Sequence, residues 1–190
     1  MVELGVAPPP SPPPREGPDI REATAGGGVA ATAAVIEARL ARGCRRFEAW
    51  LGPNLGASCW VSIGSEWIGE VERELRLPTD DCYVWNCVTL PPFRRRGLFR
   101  ALVVSMVTTA AREGFARAWI GSVDEASWTG PALRAAGFKQ AARVELLGLA
   151  GIGLLRLDPA IDADPGAVAA ARAGLQTRGW ALQPRRSRAH

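Results

Sequence analysis

Four arginines, Arg94, Arg95, Arg96 and Arg100, crowd the stretch Leu90-Pro91-Pro92-Phe93-Arg94-Arg95-Arg96-Gly97-Leu98-Phe99-Arg100. Guanidinium groups bind anions through charge-assisted hydrogen bonds, each worth about 1.5 to 3 kcal/mol where water is partly excluded. The flanking residues narrow the chemistry. The run Cys82-Tyr83-Val84-Trp85-Asn86-Cys87-Val88-Thr89-Leu90 is rich in β-branched and aromatic residues and reads as a buried strand. After it, Leu98, Ala101, Leu102, Ser105, Met106 and Thr109 fall on one helical face, and Gly114 supplies a stop. The arginines therefore sit in a strand-to-helix turn, beside unpaired N–H groups and the positive end of a helix dipole. Such a turn suits a diphosphate. A solvated basic face is the plainer reading. A nucleic-acid patch fits less well, because it spreads cations along a groove with aromatics for stacking, whereas these are confined to one turn. The dinucleotide fingerprint needs three glycines, and only Gly97 is present here.

The other metal-ligating and nucleophilic residue types are sparse. Cys44, Cys59, Cys82 and Cys87 contain no C-x-x-C pair, and the only histidine is His190, so no metal site is expected. Cys82 and Cys87 have opposite parity on one strand, which predicts that they face opposite sides of the sheet. Buried thiols are expected in preference to a disulfide.

Two segments together resemble the GNAT superfamily of acyl-CoA-dependent N-acetyltransferases. Residues 94–99 match the family's cofactor loop, Gln/Arg-x-x-Gly-x-Gly/Ala, in all but the last position, and Thr89-Leu90-Pro91 takes the place of its strand-ending Val-x-Pro. Downstream, Ala126-Ser127-Trp128-Thr129-Gly130-Pro131-Ala132-Leu133-Arg134-Ala135-Ala136-Gly137-Phe138-Lys139 is similar to the family's short helix that ends in Gly-Phe. One helix and one strand, at 116–121, separate the two, as the family order requires. The resemblance implies an α/β fold: a mixed, mostly antiparallel central sheet with flanking helices and a splayed strand pair.

It also implies a site. Acetyl-CoA or another acyl-CoA would be the co-substrate, with Cys87, Val88 and Thr89 beside the pantetheine. Arg94, Arg95, Arg96, Gly97, Leu98, Phe99 and Arg100 would surround the diphosphate, mainly through backbone N–H groups. A backbone N–H near Thr89 would polarise the thioester carbonyl. The implied reaction is direct attack by a small-molecule or peptide amine in a ternary complex, without a covalent enzyme intermediate. Phe99 departs from the family's Gly or Ala, and its side chain is expected to pack sideways. Leu133 stands at the family's tyrosine position, Ala126 at its asparagine, and Tyr83 at the glutamate of histone-type members. Tyr83, with Asp81 two residues away on the same face, is therefore the acid–base candidate. Glu70, Glu72, Asp124 and Glu125 read as surface carboxylates. Trp60, Trp67, Trp85 and Trp128 are either core or the lining of an acceptor pocket, which would then favour an uncharged or aromatic amine. A non-catalytic CoA-binding or protein-interaction module is the alternative class.

These residues need elements to position them. A chain of 190 residues, 47% hydrophobic, fits one domain with appendages. No run approaches the roughly 18 apolar residues of a membrane span, and Met1-Val2-Glu3-Leu4 lacks a basic leader region. No membrane partner is expected, and the location expected is cytoplasmic. The net charge of +4 is carried almost wholly by arginine, part of it in the tail Arg185-Arg186-Ser187-Arg188. Residues 1–18, with Pro8-Pro9-Pro10-Ser11-Pro12-Pro13-Pro14, read as a disordered tail. Residues 19–158 read as the GNAT-like domain, and 159–190 as a helix near 166–176, outside the core, followed by a basic tail. Within the domain the patterns predict a strand at 19–24, a helix over 29–42, and a meander of strands at 46–51, 57–63 and 67–77. After the arginine turn they predict a strand at 117–121, a helix at 130–136 and paired strands at 139–147 and 152–157. A homodimer is left open.

Overall fold

Tight turns at Gly52 (φ 57°) and Gly64 (φ 82°), and one helix-length connection between residues 89 and 117, decide the sheet topology. The computed structural model describes residues 1–7, 17–24, 31–123, 129–149 and 152–184. In chain order the strands are β1 (Val2–Ala7), β2 (Asp19–Ala23), β3 (Arg45–Leu51), β4 (Asn54–Ile63), β5 (Ser65–Ile68), β6 (Arg73–Arg76), β7 (Asp81–Thr89), β8 (Arg117–Val123), β9 (Lys139–Leu149), β10 (Ile152–Pro159) and β11 (Trp180–Pro184). The helices are α1 (Ala33–Ala41), α2 (Leu98–Arg112), α3 (Thr129–Ala135) and α4 (Pro165–Gly174). Nine strands form one sheet in the order β11-β10-β9-β1-β8-β7-β4-β3-β2. Only β7 and β8, joined through α2, run parallel. The expected α/β class and mostly antiparallel sheet are what the chain adopts.

Two cores sandwich the sheet. On one face α2 sets Leu102, Val103 and Met106 against Phe47, Cys59, Val61 and Val84, and α3 adds Leu133 and Ala136. On the other, Ile36 of α1 covers Trp60, while β5, β6 and α4 cover Tyr83, Trp119, Val144 and Leu155.

Three expectations need correction. Residues 2–7 are not part of a tail: they form β1, antiparallel to both β8 and β9, with Val2 and Leu4 buried. The strand expected over 67–77 is broken by a 3-10 turn at Gly69–Val71, with Glu72 in the left-handed region (φ 48°). It folds as the second half of a β5–β6 hairpin off the main sheet, so β4 pairs directly with β7. Finally, α4 is not an external appendage. Ala167, Ala171 and Leu175 are buried against β9 and β10, and β11 extends the sheet. The polyproline run at 8–14, the basic tail at 185–190, and Asp124, Glu125, Ala126 and Trp128 lie outside the described residues.

Candidate active site

The parallel pair β7 and β8 is joined only over Asp81–Val84 and Arg117–Ile120. Both strands continue, but β7 stays with β4 as far as Thr89 and β8 stays with β1 as far as Val123. They part after Val84, leaving the β7 edge from Trp85 to Thr89 facing a gap. A bulge marks the place where they part. Asn86 adopts φ 45°, and Asn86 and Cys87 together oppose Cys59 of β4. One extra residue bends a strand and resets its side-chain parity. Trp85 and Asn86 consequently both address the α1 side, while Cys87 packs on the α2 side with Cys82. The expectation that Cys82 and Cys87 face opposite sides fails for this reason. So does the expectation of four thiols: Cys59 and Cys87 form a disulfide across β4 and β7, and Cys44 and Cys82 are free and buried. Burial pushes the Cys82 thiol up to about 12, with the neighbouring Asp81 charge acting in the same direction.

The arginine turn lies at the open end of this gap. A 3-10 turn, Pro91–Phe93, leads into Arg95 (φ 60°) and Gly97 (φ 75°), two left-handed residues that bring the backbone round to the start of α2. Gly97 is the N-cap and offers no side-chain acceptor. The first N–H groups of α2 thus have no intrahelical partner and no cap. By contrast, Thr32 caps α1 and Asp164 caps α4. The turn is seated on Gly56, where a Cβ would lie 2.5 Å from Leu98 Cδ1 and 3.1 Å from Phe93 Cγ. Arg94, Arg95, Arg96 and Arg100 are exposed. Arg94 Nε donates to Thr89 O at 3.3 Å, Arg96 stacks on Phe93, and Arg100 Nε donates to Ala135 O at 3.2 Å, tying α2 to α3. Leu98 is buried, and Phe99 packs against the α2-side core as expected.

On the opposite face the gap opens into a cavity of about 450 Å³. Tyr83, Trp85 and Asn86 of β7, Gly121 and Ser122 of β8, Trp67 and Glu70 beside the hairpin, and Arg39 of α1 line it. Gly121 makes room for the Tyr83 phenol, since a Cβ there would lie 2.8 Å from Tyr83 Oη. Burial raises the Tyr83 pKa above its ordinary value, helped by Glu70 and Glu66, so the hydroxyl keeps its proton. A larger cleft of about 820 Å³ lies between α3 and β9–β10 and reaches Ser122 of β8, which it shares with the cavity. Of its charges, Glu3 pairs with Arg143 and Arg156 with Asp158.

A GCN5-related N-acetyltransferase from Sphaerobacter thermophilus superposes on 73% of this chain with a TM-score of 0.50, at 13% identity, the match spanning 48% of that protein. This is the fold of the GNAT acetyltransferases. A Bacillus subtilis acetyltransferase in complex with CoA matches 68% of the chain and 78% of its own length, with 13% identity and a TM-score of 0.48. An aminoglycoside acetyltransferase from a soil metagenome, in complex with sisomicin, matches 65% and 75% at 11% identity and a TM-score of 0.45. No family sequence model and no curated protein sequence matches the chain.

Within the GNAT fold the residues singled out by sequence separate into two groups. Cys87, Val88 and Thr89 lie on the open edge of β7, residues 94–100 at the head of α2, and Tyr83 in the cavity. Asp81 does not join them. It is fully buried where β7 and β8 are still paired, accepting from Arg117 Nε at 2.9 Å and Trp119 Nε1 at 2.7 Å. That carboxylate is committed to joining two strands, so Asp81 is corrected from an acid–base candidate to a structural residue. Glu70 lines the cavity and Glu72 does not. Sequence reasoning missed Arg39 and Asn86. Arg39 Cζ stands 4.5 Å from the Trp85 ring centroid and 5.1 Å from that of Trp60. The Asn86 amide oxygen accepts from its Nη1 at 2.6 Å and Nη2 at 3.3 Å. Asn is among the residues that tolerate a left-handed backbone, but nothing in the sequence linked position 86 to a helix 45 residues earlier.

Proposed function

We propose that the chain is an N-acyltransferase that moves an acyl group from acyl-CoA to an amine in a ternary complex. One observation carries the reading: a gap between two parallel strands has an uncapped helix start at its open end and a cavity on the opposite face. The residues present fit acyl-CoA. The head of α2 offers unpaired N–H groups and exposed arginines to a diphosphate, and a Cβ at Gly97 would meet nothing within 4 Å, so the approach is open. The unpaired edge of β7 at Cys87, Val88 and Thr89 can receive an extended amide chain as an added strand would. Acyl-CoA supplies an activated acyl carbon, whose C–S bond breaks as an amine nitrogen bonds to it and the electron pair leaves with sulfur. Backbone N–H groups on the β7 edge polarise a carbonyl lying along it; such preorganised donors are typically worth about 2.7 to 4 kcal/mol. Tyr83 holds its proton at Oη where gap and cavity meet, and is the proton donor of the site. The cavity walls orient the amine and limit water.

Melting the protein with and without acetyl-CoA tests the reading. A ligand at about 100 times its dissociation constant adds roughly 2.7 kcal/mol of stability. The expected result is a clear rise in Tm that is lost in Gly97→Val, because a β-branched residue is strained at φ 75°. Absence of any rise at millimolar acetyl-CoA would refute it.

A further inference from the structure

Among the described residues Arg39 is the only cationic side chain lining the cavity, and Glu70 the only anionic one. Trp60 and Trp85, whose ring centroids are 6.1 Å apart, lie side by side against the Arg39 guanidinium, and Asn86, placed by the β7 bulge, accepts from both Nη atoms when its amide oxygen faces them. A guanidinium carries five N–H donors. Among the described residues the other three meet no acceptor, and no carboxylate forms an ion pair with Arg39. Glu66, whose charge acts on Arg39, is already bound by Arg42 at 3.2 Å, by Ser62 Oγ at 2.6 Å and by the Trp67 N–H at 3.0 Å. A stacked, oriented guanidinium with a free donor edge matches a carboxylate and repels a second cation.

We infer that the acceptor is a small amine that also carries a carboxylate, an amino acid in chemical class, with Arg39 as the residue that selects it. This rests on the acyltransferase reading and adds the identity of the acceptor class. The neutral amine nitrogen takes the acyl group and gives up one proton to solvent, CoA leaves as the thiol with the proton of Tyr83 Oη, which solvent restores, and the carboxylate stays unchanged on Arg39. Polycationic amines are disfavoured, because they bring like charge to the same edge. Trp67 and Trp85 line the cavity as the sequence allowed, so an aromatic side chain on the acceptor still fits, while Trp85 and Trp60 also hold the cation.

The experiment pairs the common α-amino acids with their C-terminal amides, and adds phenethylamine and spermidine. Transfer is followed by CoA release from acetyl-CoA, and binding to the CoA-loaded protein by calorimetry. At least one free acid is expected to be bound and acetylated, with kcat/KM at least about tenfold above its amide. Arg39→Met is expected to raise KM for that acid by about tenfold or more, bring the acid-to-amide ratio of kcat/KM close to one and keep the acetyl-CoA melting shift, which reports an intact fold. Amides or carboxyl-free amines used as well as the acids would overturn the inference, as would no acid bound while CoA binds. If the variant does not fold, the acid-to-amide ratio of the unmodified protein decides alone. An absent acetyl-CoA shift in the unmodified protein would instead remove the underlying reading, and this inference with it.

Discussion

Tyr83 is buried to 5% exposure and its phenol is held protonated, so it can donate but cannot serve as a base near neutral pH. If it supplies the proton of the reaction, Tyr83→Phe lowers kcat by about a hundredfold or more while the acetyl-CoA melting shift is kept. Because the shift is upward, ionisation of this group removes no activity up to and beyond pH 10. A steady-state comparison of the two proteins across pH 6 to 10 checks both statements. The sequence put Tyr83 forward because it stands at the resembled family's glutamate position and is the only tyrosine, and the fold sets it on the cavity wall. Asp81 was misread for a reason that period-2 parity does not reveal. The parallel register sets Asp81 opposite Arg117 and Tyr83 opposite Trp119, and the Trp119 indole reaches back to Asp81. Arg39 was illegible because its aromatic cradle comes from β4 and β7, which only tertiary pairing brings to α1.

Two features act at the level of elements. The bulge in β7 left no sequence signal beyond an asparagine, yet it governs which side chains enter the cavity and which cysteine meets Cys59. The disulfide predicts that thiol titration of the unfolded chain finds two reactive cysteines before reduction and four after. The second feature is the charge cluster that binds β2, β3 and the end of α2. Arg45 donates to both oxygens of Glu22, each at 2.7 Å, and to Glu113. Hydrogen bonding to Arg45, more than the net effect of burial, holds the Glu22 carboxyl below its ordinary value. A depressed carboxylate pKa contributes stability above about pH 4.5 that is lost as pH falls through the lowered value. The cluster is partly exposed, so the effect is small. Glu22→Gln is expected to lower Tm by about 1 to 3 °C at pH 7 and by progressively less as the pH falls below about 4.5, read by calorimetry. The strand–turn–helix at the arginines was legible throughout, since β-branched run, turn and helical spacing agree there.

At the scale of the whole molecule, β1 divides the sheet into two halves that no other strand joins. Gly5 in its middle, its brevity and the prolines after it suppressed the strand signal. Its removal would leave β8 and β9 with bare edges and strip Val2 and Leu4 from the core, each worth about 1.5 to 3 kcal/mol. A chain lacking residues 1–7 is expected to lose its cooperative melting transition and to aggregate, as calorimetry and light scattering would show. β1 also fixes an order of events. Val2 pairs with Val123 and with Val144, so the strand is made more than a hundred residues before either neighbour exists. At a synthesis rate of about 5 to 20 residues per second, that interval is on the order of ten seconds. Through it β1 is an unpaired apolar segment within reach of other strand edges, and the two halves of the sheet close only when β8 and β9 have been made and clasp it.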